Sequence, residues 1–179
     1  MVAVPSRLQT TATPSHPLGG LRVAVKDIFR IEGVKTSVCN RAFYELYPPA
    51  SQTAACIRLL EEKGARILGT TKLAAFAATE EPIECVDYQT PWNPRADGYQ
   101  SPAGSSSGSG VAVASYQWVD IAVGSDSKFQ SSGAPIIRFI LHELAASGSG
   151  RRPDHWKGCF AHRPSHGVLP VEGYLPSFE

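Results

Sequence analysis

The 179-residue sequence lacks the features that mark a membrane segment, a secretory leader or a nucleic-acid-binding surface. It has no apolar run of about 18 residues, and residues 1–17 are polar and proline-bearing without an apolar core. An excess of charge of one sign is also missing, since 17 basic and 16 acidic residues leave a net charge of +1. We therefore expect a cytosolic protein with neither nucleic acid nor membrane as a partner.

Cysteine is scarce, and its spacing argues against a disulfide framework. The four cysteines lie far apart and form no C-x-x-C pair: Cys39, Cys56, Cys85 and Cys159. We expect reduced thiols.

One histidine-rich cluster near the C-terminus has spacing loosely like that of zinc ligands: His155, Cys159, His162 and His166. Gly158, Pro164 and Gly167 interrupt the helix that such a site would need, and no second cysteine pair completes it. We expect no metal and no cofactor.

The stretch Ser101-Pro-Ala-Gly-Ser-Ser-Ser-Gly-Ser-Gly110 has no charge and one alkyl side chain, so it serves through its backbone and hydroxyls. A flexible linker is one interpretation. It is disfavoured because a helix-like segment, 111–115, and a strand-like segment, 118–123, follow at once. A nucleotide-binding loop is the other alternative, but the stretch lacks both the Gly-Lys-Ser/Thr ending and the Gly-x-Gly-x-x-Gly pattern.

The remaining periodicity predicts an α/β fold. The predicted elements are a strand at 21–25, a helix at 51–64 capped by Ser51 and stopped by Gly64, a strand at 65–69, a short helix at 71–78 and a strand at 118–123. Strand, helix and strand in succession call for a parallel crossover.

Three segments together resemble the amidase signature family: Val23-Ala-Val-Lys-Asp-Ile-Phe29, the Gly/Ser stretch, and Ser147-Gly-Ser-Gly-Arg-Arg-Pro153. The resemblance covers roughly residues 18–126 and 147–178. It implies a partial amidase-signature fold with a mixed sheet flanked by helices. It also implies a hydrolase that cleaves the carbon-nitrogen bond of a small-molecule linear amide through a Ser-Ser-Lys triad and an acyl-enzyme.

The same resemblance assigns the residues. It makes Ser149 the nucleophile, Ser105 the bridging serine, often preceded by a cis peptide in the family, and Lys26 the terminal base, neutral at rest. It places the oxyanion hole at the backbone N–H groups of Ser147 and Gly148 and gives supporting roles to Ser106, Asp126 and Arg151.

The sequence departs from the family between Asp126 and Ser149, where the family has only a few small residues. Replacing 127–146 by a single Thr would restore the family motif. We hypothesise a retained intron translated in frame, because Ser127-Lys128 can be encoded with a GTAAG donor and Ala145-Ala146 with a CAG acceptor. The alternative is a genuine insertion that forms an amphipathic helix from about Pro135 to Ala145.

The domain prediction is a flexible arm at 1–17 followed by a partial amidase signature domain at 18–179, truncated at the C-terminus and carrying the atypical insert at 127–146. We expect this chain to be poorly soluble and weakly active or inactive. The alternative function is a catalytically inactive remnant or binding module. Phrases such as Arg163-Pro-Ser-His-Gly167 resemble fungal amidase-like proteins, some of them linked to secondary metabolism or described as scytalone dehydratase-like.

Overall fold

The computed structural model describes residues 10–78, 85–95, 97–125, 137–142, 159–162, 168–170 and 172–173. Its elements, in chain order, are β1 (Arg22–Lys26), α1 (Arg41–Leu46), α2 (Ala55–Glu62), β2 (Arg66–Thr71), a 3₁₀ turn (Ala75–Ala77), α3 (Ser107–Ser115), β3 (Ile121–Ser125), β4 (Ile137–His142) and β5 (Cys159–His162).

The five strands form one mixed sheet in the order β2-β1-β3-β4-β5. The central strand β1 is parallel to both β2 and β3, whereas β4 is antiparallel to β3 and β5 is antiparallel to β4. The segment containing α2 connects β1 to its parallel neighbour β2, as the strand-helix-strand pattern predicts. The predicted fold class, a mixed sheet flanked by helices, is confirmed.

Both faces of the sheet are covered, and β1 contributes to each. Val23 and Val25 pack with Ile57 of α2 on one face. Ala24 packs with Val113 of α3 on the other. Because successive side chains of a strand point to opposite faces, a strand buried on both reads as the continuous apolar run seen here.

The helix α2 begins at Ala55, so the predicted cap at Ser51 is wrong. Ala54 is the N-cap residue, and no side chain caps the helix. Backbone carbonyls take that place, since the N–H groups of Ala54 and Ala55 donate to the carbonyls of Arg30 and Glu172 at 2.8 and 3.0 Å. These carbonyls belong to distant parts of the chain, so local sequence could not indicate them.

The predicted end of α2 is confirmed at Gly64, which has a φ of +95°. The N–H of Gly64 donates to the carbonyl of Glu61, and that of Ala65 donates to the carbonyl of Leu60. This pair of bonds is a Schellman motif, which requires a left-handed residue and favours glycine.

The predicted helix over 71–78 is wrong. Thr71 ends β2, and only a 3₁₀ turn follows, with Phe76 at a φ of +54°. The backbone here bonds to other segments: the carbonyl of Lys72 accepts from Gly108 N, and the N–H of Phe76 donates to the carbonyl of Val38. Bonds of this kind replace the i to i−4 bonds of a helix.

Part of the atypical insert is a strand. Residues 137–142 form β4 and pair with β3 from Ser125↔Ile137 to Ala122↔Ile140. An amphipathic helix over 135–145 is therefore wrong, and the ladder to β3 supplies the reason. Among the described residues, no helix is both long and apolar enough to cross a bilayer.

Candidate functional site

Two buried polar side chains lie where neighbouring parallel strands end. Lys26 is the last residue of β1 and Ser125 is the last residue of β3. The two strands are paired in parallel register, Val25 opposite Val123, so their carboxyl ends meet at one edge of the sheet. Lys26 has no exposed surface and Ser125 is 1% exposed. The fold therefore places an amine and a hydroxyl together, away from bulk water.

Three serine hydroxyls surround the Lys26 amine. Its Nζ lies 2.7 Å from Ser105 Oγ, 3.0 Å from Ser106 Oγ and 2.6 Å from Ser125 Oγ. An ammonium has three protons to donate, whereas a neutral amine has two and a lone pair, so the same three oxygens can serve either form.

Proton counting distinguishes the three hydroxyls. The Ser106 hydroxyl donates to the carbonyl of Ser125 at 3.1 Å and accepts from the Ser125 N–H at 3.3 Å. Its one proton is thus already used, and toward Lys26 it can only accept. The hydroxyls of Ser105 and Ser125 are the two that can donate to a neutral Lys26.

The Gly/Ser stretch is a turn followed by a helix start. The peptide between Gly104 and Ser105 is cis, as the resemblance implies for the bridging serine. Ser106 is the N-cap residue, and α3 begins at Ser107 inside the stretch. Gly108 fits because a Cβ there would lie 2.5 Å from Lys72 N and 2.6 Å from Lys72 O. The glycine allows α3 to lie against the exit of β2.

Next to Lys26 along the chain, the buried carboxyl of Asp27 pairs with the half-buried Ser37. Asp27 Oδ2 accepts from the N–H and the hydroxyl of Ser37 at 2.9 and 2.6 Å. Burial raises the pKa of the Asp27 carboxyl, and the bonds from Ser37 only partly offset it. Within the part of the chain that the structure describes, Asp27 Oδ1 and Ser107 Oγ are buried and have no hydrogen-bond partner.

The structure brings together part of the predicted site. Lys26, Ser105 and Ser106 are adjacent, whereas the remaining predicted site residues lie outside the described residues: Asp126, Ser147, Gly148, Ser149 and Arg151. Of the histidine-rich cluster, Cys159 is buried, with its Sγ 3.9 Å from the carbonyl of Gly110, and His162 is exposed. His155 and His166 lie outside the described residues. Across the described ranges, no group of three or more His, Cys, Asp or Glu residues could hold a metal ion.

Sequence reasoning missed Ser125, although its hydroxyl makes the shortest of the three contacts to Lys26. The motif resemblance pointed instead to its chain neighbour, Asp126. The available signal was positional: a polar residue that ends a buried strand parallel to β1 must lie at the same sheet edge as Lys26.

Comparison with known proteins gives a family match over most of the chain. The model of the Amidase family matches residues 3–127. The chain is 36% identical over 171 residues to Amidase 1 of Arabidopsis thaliana, covering 94% of this chain and 35% of that protein. It is 37% identical over 160 residues to Amidase 1 of Oryza sativa subsp. japonica, covering 89% and 32%. The chain thus spans about a third of the length of these curated relatives.

A solved structure shares the fold. The native peptide amidase of Stenotrophomonas maltophilia superposes with a TM-score of 0.54 at 24% identity, covering 83% of this chain and 31% of that one. At this identity the likeness concerns the fold alone.

Proposed function

The chain belongs to the Amidase family, and from that premise we propose that the whole protein hydrolyses the carbon-nitrogen bond of a linear amide through an acyl-enzyme. The observation that carries the proposal is the fully buried Lys26 amine, 2.7 Å from the hydroxyl of Ser105. A serine hydroxyl is a weak nucleophile at its ordinary pKa and needs a base within hydrogen-bonding reach. A lysine can be that base only when it is neutral.

In the proposed first half-reaction, the oxygen of Ser149 attacks the amide carbon. Its proton passes to Ser105, whose own proton moves to Lys26. The carbon-nitrogen bond then breaks, and the departing amine takes a proton back along the same relay. An acyl ester on Ser149 remains. In the second half-reaction, water attacks this ester with the same relay as base, and the carboxylic acid leaves.

The other predicted residues have supporting roles in this proposal. The backbone N–H groups of Ser147 and Gly148 would stabilise the oxyanion, and each such donor is typically worth about 3 kcal/mol. The Ser106 hydroxyl accepts a hydrogen bond from the Lys26 amine and so holds the amine in place. It cannot donate to the amine, because its proton is bound to the Ser125 carbonyl. Asp126 and Arg151 are proposed to hold the nucleophile loop.

One observation favours a second candidate, an inactive amidase-like protein or binding module. β4 runs back from the Lys26 edge, so His142 lies at the opposite edge of the sheet, paired with Cys159 of β5. Both ends of the segment that carries Ser149 are therefore held at that opposite edge. At about 3.3 Å per residue, the length of β4 places His142 roughly 17 Å from the Lys26 edge.

The remaining predictions depend on the sequence alone. The named relatives are plant amidases, so the fungal grouping and a role in secondary metabolism stay predictions, as does the cytosolic location. The proposed substrate class is a small-molecule linear amide.

The test is active-site labelling with a fluorophosphonate, which bonds covalently to an activated serine, followed by peptide mapping. Two forms are compared: the chain as it stands, and a form in which 127–146 is replaced by one Thr. We expect labelling of Ser149 in the second form. Labelling in the first form as well would exclude the inactive alternative. Absence of labelling in both, with both folded by circular dichroism, would contradict the proposed nucleophile.

Matched lysine variants give the control. Lys26→Met nearly conserves side-chain size and removes the amine, and we expect it to lower the labelling rate at least about 100-fold. Lys72→Met removes an exposed amine that donates to the carbonyl of Gln89, and we expect an unchanged rate. Equal rates in the two variants would contradict the role of Lys26.

A further inference from the structure

Cys39 and Cys85 are distant in sequence and adjacent in the fold. The Cys85 thiol is close enough to the Cys39 thiol to raise its pKa. Both side chains belong to the apolar cluster that also contains Ile57 of α2. Cys39 is 5% exposed, whereas Cys85 is only half-buried, so a small solute from solvent meets the Cys85 sulfur first.

The backbone holds the two cysteines against the same 3₁₀ turn. The N–H of Ala75 donates to the Cys85 sulfur at 3.2 Å. The next N–H, of Phe76, donates to the carbonyl of Val38, beside Cys39, at 2.9 Å. Two adjacent amides therefore fix both chain segments, and the thiols stay together without a covalent link.

We propose that Cys39 and Cys85 are a redox modification site, which forms a disulfide when the protein meets hydrogen peroxide. The Cys85 sulfur attacks one peroxide oxygen, the O–O bond breaks, and a sulfenic acid and water result. The Cys39 sulfur then attacks the Cys85 sulfur, the S–O bond breaks, and the hydroxyl leaves as water with the Cys39 proton. In total, two thiols lose two electrons and two protons, and one peroxide becomes two waters.

The surroundings assign the order of these steps. Burial, and next the neighbouring Cys85, raises the pKa of the Cys39 thiol to about 12. A protonated and buried thiol reacts slowly with peroxide, so Cys39 acts second. The positive charge of Lys72 acts in the opposite direction, because it favours the thiolate of Cys39. Oxidation of Cys85 to an uncharged sulfenic acid removes the Cys85 charge as a cause that opposes ionisation of Cys39.

The test uses the full chain, reduced, folded and exposed to hydrogen peroxide. Free thiols are then blocked with N-ethylmaleimide, and intact mass and non-reducing tryptic peptides are measured. We expect a loss of about 2 Da before blocking, a cross-link between peptides 36–41 and 73–95, and reversal by dithiothreitol. Cys56, buried in the same apolar cluster, and Cys159, buried in the cluster on the other face of the sheet, should remain free after the protein is unfolded. Oxidation of Cys85 to sulfinic acid while Cys39 stays free would overturn the proposal, as would a cross-link to Cys56 or Cys159.

Two variants sharpen the result. In Cys39→Ser the sulfenic acid of Cys85 has no resolving thiol, so we expect dimedone to trap at least about tenfold more of it than in the parent chain. Cys56→Ser is the matched control and should behave as the parent. Equal trapping in parent and Cys39→Ser would overturn the proposal. If a variant fails to fold, titrating the parent chain with glutathione buffers supplies the same decision through the presence or absence of the 39–85 cross-link.

Discussion

Replacing Gly108 by alanine tests whether the Gly/Ser stretch is fixed by close packing. The added Cβ would lie 2.5 and 2.6 Å from the backbone N and O of Lys72, so one backbone has to move by almost 1 Å. Overpacking of this kind costs about 1–3 kcal/mol. The weakened bond from Gly108 N to Lys72 O, now 2.9 Å, costs about 1 kcal/mol more. Alanine regains about 1 kcal/mol in helix propensity.

The net expectation is a fall of about 2 kcal/mol in the free energy of unfolding, measured by urea denaturation followed by circular dichroism. Gly33→Ala is the matched control, since nothing lies within 4 Å of its added Cβ and only its φ of +76° is unfavourable. It should cost about 1 kcal/mol. The packing argument would be refuted if Gly108→Ala cost no more than this control. Ala74, two residues after Lys72, donates its N–H to the Ser105 carbonyl at 3.0 Å. A shift of the backbone at Lys72 should therefore also move Ser105 and slow serine labelling.

Two carboxylates predict opposite pH dependences of stability. Burial raises the pKa of Asp27, so the folded protein holds this proton to higher pH than the unfolded chain does. Stability therefore falls as pH rises from 3.8 through the folded pKa. Asp27→Asn should flatten this part of the plot of urea midpoint against pH, and an unchanged slope would contradict the assignment. Hydrogen bonds from Arg22 lower the pKa of Asp120, so this contribution is present above 3.8 and is lost as pH falls through the folded pKa. Asp120→Asn should cost about 1 kcal/mol at pH 7 because the pair is partly exposed, and less as pH falls through the folded pKa. A cost that does not fall with pH would show that Arg22 is not the cause.

Sequence alone predicted those parts of the fold that depend on local chemistry. The apolar run before Lys26 indicated β1, and Gly64 marked the end of α2 because a left-handed residue is needed there. The start of α2 was not predictable, since carbonyls of Arg30 and Glu172, distant in the chain, replace the side-chain cap. The strand β4 was missed for a similar reason: its conformation depends on pairing with β3 and β5.

In the candidate site, too, local motifs could be predicted from the sequence, whereas contacts that depend on tertiary pairing could not. The motif resemblance indicated Lys26 and Ser105, and the structure places them 2.7 Å apart. Ser125 was missed because its contact with Lys26 depends on the parallel pairing of two strands, which no motif records. The neighbourhood of Cys39 and Cys85 likewise follows from tertiary packing, whereas the spacing of the cysteines in sequence predicts only reduced thiols.

Because β4 lies inside the sheet, removing residues 127–146 would change the sheet itself, which removing a surface loop would not do. β5 touches the rest of the sheet through β4, and its direction, parallel to β3, is set by two successive antiparallel pairings. Without β4, β5 would have to move by one strand spacing, about 4.8 Å, to meet β3. If the shortened connection closed as a hairpin, β5 would also run the other way and would pair with β3 in an antiparallel register. Excision of this segment would therefore require the part of the sheet beyond β3 to form anew.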